Sequence, residues 1–83
     1  MPRFLDSHTG VDGVTPEELA ELHRRDLATQ DKHGVRYLKY WLDEEAGRIF
    51  CLVDAPDAEA AHAVHREAHG LVADEIYLVS EHE

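Results

Sequence analysis

The sequence predicts an α+β domain with the element order βαββαβ, a four-stranded antiparallel sheet carrying two helices on one face. Three observations carry this expectation. Capped helical patterns begin at Thr15 and at Asp57. Between them, two β-rich runs flank a polar turn at residues 43–47. A short β-type run stands near each end of the chain. That order is the split βαβ, or ferredoxin-like, arrangement.

Each element has its own local cause. Residues 4–9 form the first strand, ended by the turn sequence Thr9-Gly10-Val11-Asp12-Gly13. Thr15-Pro16-Glu17-Glu18 then opens a helix. Thr15 is the N-cap, Pro16 takes the first helical position, and Glu18 at the third completes a capping box. Leu19, Leu22, His23, Asp26, Leu27 and Gln30 follow at helical spacing, with Glu17, Glu21, Arg24 and Arg25 on the other face. Gly34 reads as the helix stop. Residues 35–42 are rich in β-branched and aromatic side chains, and residues 48–55 return as an apolar strand, so the two form a hairpin. Pro56 breaks that strand, Asp57 caps a second helix over 58–69, Gly70 stops it, and residues 75–80 are the last strand.

Eighty-three residues make one domain, spanning 1–83. A chain this short is marginally stable alone and commonly relies on disulfides, a metal or a partner subunit. Disulfides are excluded, because Cys51 is the only cysteine. Its setting, Ile49-Phe50-Cys51-Leu52-Val53, marks it as a buried structural residue. A metal or a partner remains. With both helices on one side, the other face of the sheet would expose Tyr40, Phe50, Leu52, Tyr77 and Val79. A second copy of the same sheet is the simplest cover, so a homodimer is expected.

Eight Lys and Arg against 18 Asp and Glu give a net charge of −10. That sign repels phosphate backbones and argues against a nucleic-acid partner. It suits a cation, although it also serves solubility. No apolar run approaches about 18 residues, so no membrane partner is expected. Met1-Pro2-Arg3-Phe4-Leu5-Asp6 lacks the apolar core of a signal peptide. The expected address is the cytoplasm.

Seven dispersed histidines set the chain apart. His62, His65 and His69 on the second helix stand at spacings of three and seven, which puts them in one stripe. Ala61, Val64 and Ala68 mark the adjacent core stripe, so the histidines are expected at the edge of the buried face. His65 and His69, at i and i+4, can share one ion. The Glu of the His-Glu-x-x-His motif is absent, so the metalloprotease reading fails. His23, Asp26 and Gln30 repeat the same spacing on the first helix. With the two helices roughly parallel, as expected here, His23 and His65 sit at similar heights and face each other.

Asp6 and His8 share one face of the first strand with Phe4, the side expected under the helices. A buried Asp is costly unless it is paired or binds a cation. Asp6, His8, His23, Asp26, His65 and His69 are therefore the candidate metal ligands. The alternative for the same residues is Asp–His hydrogen bonding without an ion. Imidazole and carboxylate suit nickel, zinc, copper or iron, and spacing does not choose among them. His33, His62 and His82, with Glu81 and Glu83, are candidates for weaker surface sites.

Several segments, taken together, resemble one family of small bacterial proteins. They are Asp6-Ser7-His8, Leu22-His23-Arg24-Arg25-Asp26-Leu27, and Gly34-Val35-Arg36-Tyr37-Leu38-Lys39-Tyr40-Trp41. Phe50-Cys51-Leu52-Val53-Asp54-Ala55-Pro56, Val64-His65-Arg66-Glu67-Ala68-His69-Gly70-Leu71 and Ala73-Asp74-Glu75-Ile76 continue the likeness over nearly the whole chain. The family, formerly a domain of unknown function, is known as nickel-binding and ferredoxin-like. The resemblance implies a ferredoxin-like dimer that binds nickel for sequestration or detoxification. It supplies no ligand list, but Asp6, His8, His23, Asp26, His65 and His69 match its recurring pattern.

The leading expectation is thus a non-enzymatic nickel-binding protein of metal handling. Two others compete with it. Dimeric ferredoxin-like barrels include small monooxygenases and isomerases, in which Asp6, His23 and His65 would act as general acid and base groups. That rests on fold analogy alone. The third is a ligand-sensing module, because similar domains occur fused to others.

Overall fold

The computed structural model describes residues 1–83. Its elements are strand β1 (Arg3–His8), helix α1 (Pro16–Thr29), strands β2 (Arg36–Asp43) and β3 (Arg48–Asp54), helix α2 (Ala58–Ala68) and strand β4 (Glu75–Val79). The predicted βαββαβ order is present. The strands lie in the order β2-β3-β1-β4, and every neighbouring pair is antiparallel. This ferredoxin-like topology makes β1 an interior strand, flanked by β3 and β4.

The local signals act largely as expected. The Thr15 hydroxyl accepts from the Glu18 N–H at 3.1 Å. The Glu18 carboxylate, however, accepts from the Thr15 hydroxyl at 3.1 Å instead of from the Thr15 backbone N–H, so the capping box is one-sided. Asp57 caps α2 by accepting from the Ala60 N–H at 2.8 Å. The first helix does not run unbroken to Gly34. It tightens after Thr29 into a 3-10 turn over Gln30–His33, and Gly34 then turns the chain with φ of 67°. That turn frees the Gln30 side chain to accept from the Tyr37 N–H at 2.8 Å, next to a bulge between Tyr37 and Lys39.

Alternation along the strands separates the two faces. Phe4, Asp6 and His8 of β1 and Ile49, Cys51 and Val53 of β3 point under the helices and are buried. They pack with Leu19, Val35, Tyr37, Ala61 and Val64 into one core. Leu27, expected on the core stripe of α1, is instead 42% exposed. The stripe narrows there because Asp26, not Leu27, turns inward.

Two further expectations change. The helices are antiparallel, not parallel. β1 and β2 share one direction and β3 and β4 the other, so the helix returning between each pair runs opposite to its counterpart. Tyr40 also lies on the helix side, since it pairs with inward-facing Cys51 and packs against the core. The open face instead carries Trp41, which pairs with Phe50, together with Leu5, Leu52, Tyr77 and Val79.

Two polar clasps fix the ends of β1. Arg3 grips Asp54 through two hydrogen bonds of 2.7 and 3.0 Å, at the Arg3–Asp54 register pair of β1 and β3. At the other end, Asp74 accepts from the Thr9 N–H at 2.6 Å and the Thr9 hydroxyl at 2.9 Å, while its own N–H bonds to the Ser7 carbonyl at 2.9 Å. These bonds hold the backbone on either side of His8.

A buried histidine, carboxylate and thiol cluster

Beneath the two helices, interior strand β1 presents Asp6 and His8, both almost fully buried. β3 places Cys51 directly opposite Asp6 in the register. α2 drives His65 down onto them, and α1 brings Asp26 alongside. His65 is 1% exposed, so it lies in the core and not at its edge. The packing of the helices accounts for this, because the last turn of α2 and the C-terminal part of α1 meet over interior strand β1.

His65 is the hub. Its Nδ1 lies 2.9 Å from Asp26 Oδ1, and its Nε2 lies 3.1 Å from Asp6 Oδ2. Asp26 Oδ1 is also 3.0 Å from His69 Nε2. His69 caps the C-terminus of α2, and its Nδ1 accepts from the Leu71 N–H at 3.0 Å, so its ring proton sits on Nε2, the nitrogen on the Asp26 side. His8 Nε2 stands 3.4 Å from Asp6 Oδ1 and 4.0 Å from Cys51 Sγ. The chain of contacts therefore runs His8, Asp6, His65, Asp26, His69.

A ring with a carboxylate at each nitrogen must donate from both, which makes His65 an imidazolium. Burial alone would lower its pKa, but the hydrogen bonds and charges of Asp26 and Asp6 outweigh burial and lift it to about 9. Burial alone would likewise raise the Asp6 carboxyl, yet His65 and His8 hold it at about 2. Asp26 is also held below the usual carboxylate range, by His65 and His69 against the effect of burial. Burial and the Asp6 charge push the Cys51 thiol and the Tyr37 phenol up. Two buried carboxylates thus gather around one histidine ring, and buried carboxylates of this kind are stabilised by a cation beside them.

The six residues singled out in the sequence fare differently. Asp6, His8, Asp26, His65 and His69 come together. His23 does not converge with them: it is half-buried, stacks on Tyr40 at 4.6 Å between ring centroids, and only lines the same cavity. Two overlapping groups bring their ligand atoms within 4.8 Å of one another: Asp6, His8, Cys51 and His65, and Asp26, His65 and His69. Cys51 is buried, as its strand context suggested, but it also joins the first group. The missing signal was strand register, since only the pairing of β1 with β3 sets Cys51 beside Asp6. Tyr37 was also missed. Its hydroxyl donates to the Ala61 carbonyl at 3.0 Å, and its ring lies 4.5 Å from that of His65. His33 and His62 are half-buried and stand outside both groups.

The donor set suits a metal ion. Imidazole, carboxylate and thiol together are the ligands of borderline transition metals. Asp6 Oδ1 and His8 Nδ1 are buried without a hydrogen-bond partner, which is unusual for polar atoms in a core. The cavity that reaches His8, Cys51, Asp26, His65 and His69 holds about 10 Å³, the room of a single water or ion.

Fold and site together define a small ferredoxin-like α+β protein with a candidate transition-metal centre enclosed between its sheet and its helices. The chain belongs to the SCO4226-like family of nickel responsive proteins, whose model matches residues 4–79. Its structure is similar to the crystal structure of SCO4226 from Streptomyces coelicolor A3(2), with a TM-score of 0.92 and 38% sequence identity over 98% of this chain and 99% of that one. A search of curated proteins gave no match. No helix is long and apolar enough to cross a membrane.

Proposed function

We propose that this protein is a nickel-binding protein that takes one divalent ion into the cluster around His65. The observation that carries the reading is the convergence of buried histidine, carboxylate and thiol groups around His65, with Asp6 Oδ1 left without a partner and a cavity of about 10 Å³ lined by His8, Cys51, Asp26, His65 and His69. The family's description as nickel responsive supports nickel over other borderline metals. When bound, the ion would neutralise the carboxylates and replace the His65 proton. Asp6, His8, Cys51, Asp26, His65 and His69 are the residues able to hold it or to orient those that do.

The cavity supports binding over catalysis, because an organic substrate needs roughly 300 Å³ or more. The role proposed is cytoplasmic sequestration or detoxification. The protein is further proposed to act as a single domain and as a homodimer closed over the open sheet face. Trp41 and Tyr77 there are 50% and 48% exposed, and Phe50, Leu52, Leu5 and Val79 lie among them.

The test is a calorimetric titration with nickel, followed by diffraction from a nickel-soaked crystal at the nickel edge. Micromolar or tighter affinity with anomalous density beside His65 is the expected result. Binding only at millimolar metal, or density confined to His33, His62 or His82, would refute the reading.

A further inference from the structure

We infer that the stacked rings of His23 and Tyr40 form a side-chain gate over the buried cavity, which opens by rotation of His23 and admits water and small neutral molecules while the fold stays intact. Access to the cavity is separate from what the cluster holds, so the gate does not depend on the metal-binding reading.

The walls of the cavity fall into two classes. His8, Asp26, Cys51 and His65 are buried and form its floor. Leu22, His23, Tyr40 and Leu71 are only partly buried, so the cavity reaches the surface between α1, β2 and the segment after α2. Polar contacts tie the floor into the fold. His65 Nδ1 and Asp26 Oδ1 are 2.9 Å apart, and the same oxygen stands 3.0 Å from His69 Nε2. Leu71 at the mouth is held as well, through its N–H on His69 Nδ1. His23 and Tyr40 have no such tie. Their side chains make no hydrogen bond or ion pair with the rest of the fold, and they meet in a tilted stack, with 4.6 Å between ring centroids and 46° between planes.

Geometry makes this the wall that moves. His23 lies on α1 one turn from Leu19 and one turn from Asp26, both buried, so its ring stands over the cavity while its backbone is fixed in the helix. Opening needs a change of side-chain rotamer and no backbone motion. Buried nitrogens without a partner occur in His8, His33 and His62 but not in His23. The His23 ring therefore already reaches solvent, and swinging it outward breaks no hydrogen bond. Tyr40 adds compliance from the other side. It sits on β2, an edge strand paired on one side only, just past the bulge between Tyr37 and Lys39. One aromatic stack is worth far less than the whole fold, so local opening is frequent compared with global unfolding. Closed, the cavity has about 10 Å³, room for one water. With His23 turned out, the space of its ring joins the cavity, and Cys51 comes within reach of solvent.

Cys51 is the sole cysteine and lies on the cavity floor, so its reactivity reads the gate. The metal-free protein is treated under native conditions with methyl methanethiosulfonate and, separately, with the bulkier benzyl methanethiosulfonate. Both reagents are neutral and share one chemistry, and mass spectrometry follows the modification. Each rate is divided by the rate of the same reagent on the urea-unfolded chain. The small reagent should then be faster than the large one by about tenfold or more, and faster than global unfolding allows. This comparison uses the wild-type protein alone. His23→Ala should speed the small reagent by about tenfold or more, beyond any change in its unfolding equilibrium. His23→Phe, which keeps a stacking ring, should stay within about threefold of wild type. Equal normalised rates for the two reagents would show that Cys51 is reached only through global unfolding and would overturn the gate. So would a His23→Ala rate that merely follows stability, or an equal acceleration by Leu71→Ala.

Discussion

His65 and Asp26 are 39 residues apart in the chain, yet the His65 Nδ1 and Asp26 Oδ1 atoms are 2.9 Å apart at the crossing of the two helices. With Asp6 3.1 Å from the other ring nitrogen, this contact makes the protein's most buried histidine a cation held between two carboxylates. Most of the measurable behaviour of the site follows from that one ring.

The first consequence is a stability that depends on pH in the metal-free protein. The folded-state pKa of His65 is raised to about 9, above its unfolded value near 6.5. Its contribution is therefore complete below about pH 6.5 and is lost as pH rises through about 9. Asp6, held at about 2, contributes above about pH 4 and loses its contribution only in strong acid. The melting temperature of the metal-free protein should fall between pH 6.5 and 9.5, with a total loss on the order of 3 kcal/mol shared within the Asp6–His65–Asp26 unit. His65→Gln should flatten the profile. A wild-type melting temperature that is constant across this range would contradict the imidazolium assignment.

Nickel uptake should release protons. Calorimetry at pH 7 in buffers of different ionisation enthalpy gives the number directly. At least one proton should leave with the His65 ring, and two if Cys51 also binds. Affinity should consequently weaken as pH is lowered toward 5. Uptake without proton release, at an affinity insensitive to pH, would leave no place for histidine ligation.

Position should matter more than residue type among the histidines. His65→Ala is expected to lower nickel affinity at least a hundredfold, because it removes the shared member of both ligand groups. His33→Ala should change affinity less than threefold, because His33 lies on the 3-10 turn, 3.5 Å from the Glu67 carboxylate and outside both groups. Circular dichroism of each variant separates lost binding from lost folding. Equal affinities in the two variants would move the ion to the periphery.

The open sheet face makes its own prediction. Sedimentation equilibrium at micromolar concentration should show a dimer, and Leu52→Lys should shift it toward monomer while nickel binding persists on the helix side. A wild-type protein that remains monomeric would remove the sheet-to-sheet interface from the proposal.

Much of the fold was legible because its signals are local. Thr15 and Asp57 cap helices, Gly34 permits a left-handed turn, and alternation in β1 puts Phe4, Asp6 and His8 on one face. Each of these depends on bonds or sterics within a few residues. The same locality shows where the reading stopped. The antiparallel helix crossing, the inward turn of Tyr40 and the exposure of Leu27 depend on how distant elements meet, and so does the burial of His65.

By itself the sequence determined the ingredients of this protein: six elements in order, a strongly acidic balance, and an Asp/His set spread over one strand and two helices. Helical and strand periods say which side chains share a face of one element, and that was enough to gather Asp6, His8, His23, Asp26, His65 and His69 as candidates. Only the tertiary structure decided which of them meet. Strand register brought Cys51 beside Asp6, and the helix crossing placed His65 between two carboxylates while leaving His23 stacked on Tyr40 outside the group. The physical reason is range. Periodicity is written into the backbone within a turn or two, whereas ligand convergence needs atoms from β1, β3, α1 and α2 placed to within an ångström, which only the packed core can fix.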